Sequence, residues 1–283
     1  MTRVDLHLHL LPGVDDGAPD EATAIAHARR MVADGVRAAT VTPHVGHPAF
    51  PLDPWTIPAR TAHLQAALDD AGVALSLRPG GEIHPEALGA LGAAELDAVA
   101  QGPAGARWVL AEVPFAGVDG AFADAVRSAG ARGFGVVIAH PERASGLLDD
   151  GGLARLRPLL EAGAVLQVNA CSLMGRHGPV AKGAAERLVR SRLAYVIASD
   201  AHPAHRGHTL LDGEVAALRA GASRAQVVQL TQANPRFLLR HGLRAVAAPG
   251  GAPDRGGRPM GRSLHRARDA ARRLRPAPRR AAR

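Results

Sequence analysis

Short apolar runs, most of them rich in β-branched residues, recur along the chain and alternate with longer stretches whose apolar residues fall three and four apart. The runs predict strands over 4–8, 38–42, 73–77, 108–113, 135–139, 165–168 and 195–198. The longer stretches predict helices over 20–33, 58–71, 85–99, 120–131, 152–161, 181–190 and 207–220. The first helix carries its own signals, Asp20 at the start and Gly35 just past the end. Strand and helix alternate seven times, which calls for an α/β fold with a parallel sheet. Closed into a barrel, such a sheet holds its ligands at the mouth where the strands end. Residues 45–58 form a Pro-rich loop after the second strand, with Phe50 and Trp55 in it.

The first strand, in "VDLHLHLLPGVDDGA", has two rows. Residues two apart on a strand share a face, so Val4, Leu6, Leu8 and Leu10 form an apolar row. Asp5, His7 and His9 form a polar one. The apolar row can bury, but the polar row needs a reason. The other strand ends supply it: "TPH" brings His44, "GGEIH" Glu82, "AEVPF" Glu112, "AHPER" His140 and Arg143, "QVNA" Asn169, and "ASDAH" Asp200 and His202. With Asp16, seven strands deliver polar side chains to one end.

Composition sharpens this only in places. At 47% hydrophobic residues the chain can bury a large core. No apolar run approaches the ~18 residues of a membrane span, and the N-terminus lacks a signal-peptide pattern, so a cytoplasmic protein is expected. The lone Cys171 makes no internal disulfide. The formal charge of +8 is uneven. Residues 246–283 hold 11 Arg, no Lys and two Asp, a net +9 that leaves the body at −1. A whole-chain nucleic-acid footprint is thereby removed, and no specific nucleic-acid partner is expected. The tail has little to bury, so disorder is expected there. Its Leu264, Ala267, Ala271 and Leu274 suit a segment lying on anionic lipid, against a plain solvated extension.

A single histidine at a strand end is usually a surface or core residue. Five His, two Glu and two Asp at one end are different, because buried carboxylates without cations repel one another and lose hydration. Nitrogen and carboxylate ligands without thiolate suit Zn, Mn or Fe(II) in sites open to water or substrate. Nine ligands are too many for one ion, so two or three are expected. Asp5 is expected to orient a ligating histidine. His27, His63 and His241 read as surface residues on helices, His84 as support beside Glu82, and His47, His177, His205 and His208 stay open. Cys171 lacks the Cys-x5-Arg spacing of a cysteine phosphatase and reads as a small buried residue.

The motifs "DLHLHLLPGVDDG", "TPH", "GGEIH", "AEVPF", "AHPER" and "SDAH", in this order across residues 1–240, resemble the polymerase-and-histidinol-phosphatase (PHP) metal-dependent phosphoesterases. Within them the chain looks most similar to the bacterial capsule and exopolysaccharide protein-tyrosine phosphatases. Asp-Asp-Gly ends the first motif where histidinol phosphatases carry a third His, and Glu112 stands where they carry His. The resemblance implies a distorted (β/α)7 TIM-like barrel over residues 1–245 with three metals, Mn first among candidates and Fe or Zn as alternatives. One ion would take His7, His9, Glu82 and Asp200. A second would share Glu82 and add Glu112 and His140. A third would take Asp16, His44 and His202, with Asp16 rather than Asp15 as ligand by motif position. Arg143 matches a phosphate-contacting arginine, and Arg206 a second one, one residue short of the usual spacing.

The implied activity is attack of metal-activated water on a phosphotyrosine monoester, with the two arginines clamping phosphate oxygens and Phe50 and Trp55 packing on the ring. The implied substrate is a membrane-associated tyrosine kinase, which puts the enzyme at the inner face of the membrane. Histidinol phosphate or another small phosphate ester is the alternative on the same fold. An amidohydrolase would bridge its metals with a carboxylated lysine, and the lone Lys182 sits far from any strand end. A nucleic-acid or membrane binder run by its tail would leave the ligand set without a purpose.

Overall fold

The computed structural model describes residues 2–149, 151–247 and 269. Its strands are β1 (Arg3–Asp5), β2 (Val36–Val41), β3 (His44–Val45), β4 (Ser76–Pro79), β5 (Glu82–Ile83), β6 (Trp108–Glu112), β7 (Gly135–Ala139), β8 (Val165–Asn169) and β9 (Ala194–Ala198). All pairings are parallel, in the orders β1-β2-β4 and β3-β5-β6-β7-β8-β9.

Nine segments make seven staves. β2 and β3 are one stave interrupted at Thr42–Pro43, and β4 and β5 are one interrupted at Gly80–Gly81. Pro43 has no N–H to give to a ladder, but its carbonyl accepts from the Glu82 amide at 3.0 Å, so the staves stay together across the break. The ring closes between the first stave and the last. Asp200 N–H donates to His7 O at 2.9 Å and His9 N–H to Ala201 O at 3.1 Å. The seven-strand reading therefore holds, with two strands split where proline and glycine fall.

The helices are α1 (Glu21–Ala33), α2 (Ile57–Asp70), α3 (Pro85–Ala90), α4 (Ala93–Val99), α5 (Gly120–Ala131), α6 (Gly152–Ala162), α7 (Ala170–Leu173), α8 (Gly178–Arg190), α9 (Leu210–Arg219), α10 (Arg224–Val228) and α11 (Asn234–His241). Asp20 caps α1 through Thr23 N–H at 2.7 Å, as its position predicts. The single helix expected over 85–99 is two, because Leu91 is extended and Gly92 starts a new N-terminus braced by Glu95. Helix α9 begins at Leu210 rather than 207, behind a capping box of Thr209 and Asp212. Beyond the reading of His241 as a helical residue, no helix is predicted over 224–241. There α10 and α11 flank a π-turn at Gln229–Ala233, and a π-turn shifts the apolar phase.

Helix α11 matters to the architecture. Val4, Leu6, Trp108, Leu110, Val137 and Tyr195 pack with Leu238 and Leu243, and the Trp108 indole N–H donates to Leu238 O at 3.3 Å. Apolar side chains thus seal the barrel at the strands' starting ends. The larger core lies between staves and outer helices. Packing continues past the expected boundary at 245, since Val246 is buried and Ala247 N–H donates to Ala162 O at 2.9 Å. From Ala248 on, the expected Arg-rich tail lies outside the described residues apart from Asp269. Among the described residues no helix is long and apolar enough to cross a membrane.

Candidate metal centre

With the floor sealed by apolar side chains, the polar ends of the staves converge at the opposite mouth. His7 and His9 lie on the extension of β1, His44 opens β3, Glu82 opens β5 and Glu112 ends β6. His140 follows β7 directly, and Asp200 and His202 follow β9. His7, His9, Glu82, His140 and Asp200 are each at most 1% exposed. The ligand atoms fall into three overlapping groups: His7, His9, Glu82 and Asp200; Glu82, Glu112 and His140; and His9, Asp16, His44 and His202.

The first group passes a geometric test for an ion. His7 Nε2 lies 3.2 Å from His9 Nε2, 3.2 Å from Glu82 Oε2 and 3.3 Å from Asp200 Oδ1. His9 Nε2 lies 3.3 Å from Glu82 Oε2 and 3.4 Å from Asp200 Oδ1. Bonds of 2.0–2.1 Å to a tetrahedral ion place ligand atoms about 3.4 Å apart, which is this spacing. In the third group His202 Nε2 comes within 3.1 Å of Asp16 Oδ1 and His44 Nε2 within 3.5 Å, yet His202 Nε2 has no aligned hydrogen bond. In the second, His140 Nε2 stands 2.7 Å from Glu82 Oε1. Glu82 therefore offers one oxygen to each of two groups.

The other ring nitrogens are held by fixed partners. His7 Nδ1 meets Gln167 Oε1 at 3.0 Å, Gln167 Nε2 donates to Asn169 Oδ1 at 2.7 Å, and Asn169 Nδ2 donates to Asp200 Oδ2 at 2.5 Å. One buried relay from β8 thus fixes two ligands. His9 Nδ1 meets Asp15 Oδ2 at 2.8 Å, and that carboxylate also accepts from Gly17 N–H and His44 N–H. Such bonds put the ring proton on Nδ1 and leave Nε2 as the ligand atom. Gly17 is required, because a Cβ there would come within 2.2 Å of His9 O. Among the described residues Asp5 hydrogen-bonds no imidazole; its Oδ1 accepts from the His7 and Ser199 amides and ties the first stave to the last. The orienting role expected of Asp5 belongs to Gln167 and Asp15. His140 (φ 34°) and Asp200 (φ 49°) sit in the left-handed region that non-glycine residues avoid, a strain that concentrates at functional sites.

Burial and like charge push the Glu112 carboxyl up to about 8, Glu82 and Asp200 being the charges responsible. Burial lowers the His7 imidazole, but Glu82 and Asp200 outweigh it and hold it at about 9. Glu82 and Asp200 are buried too, yet the surrounding histidines keep both well below the ordinary carboxylate range. Burial takes His140 down to about 4 and lowers His202, so both rings stay neutral and able to ligate. Opposed shifts among touching groups mark a site built around a charge the side chains do not themselves supply.

Beside the ligands, Arg143 Nη1 lies 3.7 Å from Asp200 Oδ2, and its guanidinium stacks on Phe115 at 4.2 Å from the ring centre. Phe115 in turn lies 5.9 Å from the His140 ring and is 45% exposed. Arg206 Nη2 lies 2.8 Å from His202 Nδ1, which also lies 3.0 Å from Asp200 O. A ligating His202 gives its Nδ1 proton to that carbonyl, and Arg206 is then free to face an anion. Phe50 stacks on His44 at 5.3 Å, whereas Trp55 stands 57% exposed with no ring contact to the histidines among the described residues. Phe115 was visible in "AEVPF" but not singled out.

His27 is buried rather than superficial, His208 Nε2 bonds Ser199 O at 2.7 Å, and His47 stacks on Phe50 and meets His84 edge-on. His177 pairs with Ser172 Oγ at 2.9 Å and is lowered to about 4 by burial and by Arg143. Cys171 is buried and its thiol pushed up, which leaves no thiolate to attack. Lys182 pairs with Glu186 on α8, away from the ligands.

A parallel barrel that gathers imidazoles, carboxylates and two arginines at its C-terminal mouth defines a metal-dependent hydrolase of the barrel class. The family model described as "Capsular polysaccharide synthesis, CpsB/CapC" matches residues 3–240, and the chain belongs to that family. It is 32% identical over 201 residues to tyrosine-protein phosphatase YwqE of Bacillus subtilis, covering 70% of this chain and 77% of the relative. The putative tyrosine-protein phosphatase CapC of Staphylococcus aureus is 27% identical over 70% of this chain and 76% of its own length. Among solved structures, one from the work on YwqE of Bacillus subtilis and CpsB of Streptococcus pneumoniae, described as unique metal-dependent tyrosine phosphatases, superimposes with a TM-score of 0.71. That match has 27% identity over 88% of this chain and 100% of the other. A Mycobacterium tuberculosis phosphotriesterase shares the fold alone, at a TM-score of 0.52 and 15% identity over 84% of this chain and 94% of the other.

Proposed function

We propose that this chain is a metal-dependent protein-tyrosine phosphatase. The observation that carries the reading is the set of three ligand groups linked through Glu82 and His9, with Arg143 and Arg206 beside them, in a member of the CpsB/CapC family. His7, His9, Glu82 and Asp200 would hold one divalent ion, Glu82, Glu112 and His140 a second, and Asp16, His44 and His202, with His9 adjoining, a third. Mn is the metal we assign first, and Fe or Zn next. When bound, such ions supply Lewis acidity toward a phosphate ester and acidify water at the site.

The chain's own residues do the rest. Gln167 and Asp15 fix the ligand tautomers of His7 and His9. Arg143, braced on Phe115, and Arg206 bind the non-bridging phosphate oxygens and hold phosphorus in line for water. Phe115 and Phe50 line the mouth as apolar faces for a tyrosyl ring. No side chain needs to become phosphorylated, and Cys171 takes no part.

The substrate we assign is a phosphotyrosine protein, specifically a membrane-associated tyrosine kinase of capsule or exopolysaccharide synthesis, with the enzyme on the cytoplasmic side. The relatives' names support this reading: one is a tyrosine-protein phosphatase and another a putative one, within a capsule-synthesis family. The test compares a phosphotyrosyl peptide with histidinol phosphate at equal Mn. The expected kcat/KM is higher for the peptide, and a preference for histidinol phosphate overturns the assignment.

A further inference from the structure

Helices α3 and α5 stand beside the metal centre without sharing in it. They approach closely at small residues: a Cβ on Gly89 would lie 3.6 Å from the Ala125 Cβ. Alongside this contact runs a groove of about 900 Å³. That is the size of a pocket for a ligand of several residues rather than for a single ion or phosphate.

Its position is informative. Phe115 lines the groove at one end, and the same ring carries the Arg143 guanidinium and neighbours His140. His84, two residues beyond the shared ligand Glu82, lines it too. The groove therefore reaches the ring on which Arg143 rests and extends from it along α5. Its floor is apolar, with Ala121, Phe122 and Ala125 from that helix. Its charge is of one sign. Glu86, Asp119 and Asp124 line it and no Lys or Arg does. Glu86 and Asp124 are exposed, and Asp124 pairs with the half-buried Arg127 three residues on, outside the lining. Asp119 uses one oxygen to cap α5 and keeps the other open.

We propose that this groove is the docking surface for the polypeptide next to the phosphotyrosine, and that it selects segments carrying Lys or Arg. The proposal rests on the phosphatase reading and adds to it a substrate class. Continuity through Phe115 supplies the register: with the phosphate at Arg143 and the ring at Phe115, the chain beyond enters the groove. An apolar floor takes the backbone and lysine or arginine stems, while the rim carboxylates meet the cationic ends.

The test uses full-length, metal-loaded protein and three phosphotyrosyl peptides of equal length with basic, neutral or acidic flanks. p-Nitrophenyl phosphate, which has no flanking chain, reports the metal centre separately. The wild-type protein is expected to favour the basic over the acidic peptide about tenfold in kcat/KM, mainly through KM, as two or three exposed ion pairs allow. Ala125→Trp, which fills the floor, and the double change Glu86→Lys with Asp124→Lys should each reduce that ratio to below about twofold. Both should leave p-nitrophenyl phosphate turnover within about twofold of wild type. The charge-reversed variant alters only exposed side chains, so it decides the matter even where the tryptophan variant fails to fold. Equal rates on all three peptides, or a preference that survives the charge reversal, overturn the proposal. No turnover of any substrate with metal present overturns the phosphatase reading instead.

Discussion

Gln167 touches no proposed ion, yet replacing it should weaken the metal centre. It is fully buried on β8, accepting from His7 Nδ1 at 3.0 Å and donating to Asn169 Oδ1 at 2.7 Å. Gln167→Met keeps the volume and removes both bonds. His7 then loses the acceptor that fixes its tautomer, and Asn169 loses one restraint on the amide that holds Asp200. Losing an outer partner of a ligand costs about 10–100-fold in metal affinity, or about 1.4–2.8 kcal/mol. Two buried polar groups left unpaired cost a further ~1–3 kcal/mol each in fold stability. Against a domain stability of ~5–15 kcal/mol this leaves the fold standing over most of the range, and circular dichroism checks it before the metal assay. Gln167→Glu keeps an acceptor for His7 but sets a carboxylate oxygen against Asn169 Oδ1, so it should hold more of the metal affinity than the methionine variant while losing fold stability. The assay is competition with a chelator for Mn, alongside aryl-phosphate hydrolysis against free Mn. The half-saturating Mn should rise 10–100-fold for the methionine variant, while the rate at saturation stays within a few-fold. A folded Gln167→Met protein whose Mn affinity is within twofold of wild type refutes the reasoning.

Arg143→Ala removes a phosphate clamp and should lower kcat by about 10²–10³, with Mn binding retained; a change in KM alone would place Arg143 outside the transition state. Metal loading should release protons at pH 7, because without cations Glu112, at about 8, and His7, at about 9, both lie above that pH and stay protonated. Apparent affinity should therefore climb with pH from 7 to 9, and His9, which burial lowers but Asp15 raises well above the usual imidazole range, adds to the rise; calorimetry in buffers of different ionisation enthalpy reads the proton count, and none released contradicts the assignment. Cys171→Ser should leave turnover within about twofold, since the buried thiol is held protonated; a large loss would return the nucleophile to sulfur.

The staves were legible because β-branched runs ending in a polar residue are local features. Their breaks were only partly so. Pro43 and Gly80–Gly81 mark the interruptions, but whether a stave continues past them depends on the neighbouring strand's hydrogen bonds. Helix α11 escaped because a π-turn shifts its apolar phase and Pro235 hides its start. At the site, the first-strand row of His7 and His9 was readable from period two alone, and every proposed ligand but Asp16, which lies in the loop before α1, stood at a stave end. Its supports were not readable in that way. Gln167 lies mid-strand among Val and Leu, and nothing in the sequence says that its amide reaches His7, 160 residues away. Asp5 looked like an imidazole's partner because it shares a face with His7, whereas ring closure brings the Ser199 amide to it first. Phe115 needed the three-dimensional path of the loop after β6 to meet Arg143.

The central claim is that water at a metal centre, and no side-chain nucleophile, breaks the phosphate ester. Hydrolysis of a phosphotyrosyl peptide should be measured on protein stripped of metal, with content verified by elemental analysis, and again after adding Mn, for wild type and for His9→Ala, which removes one of the two ligands shared between groups. Activity in the wild type should vanish on stripping and return as two to three ions bind per chain, while His9→Ala should bind fewer ions and stay slow. Full turnover by the verified metal-free protein would contradict the account.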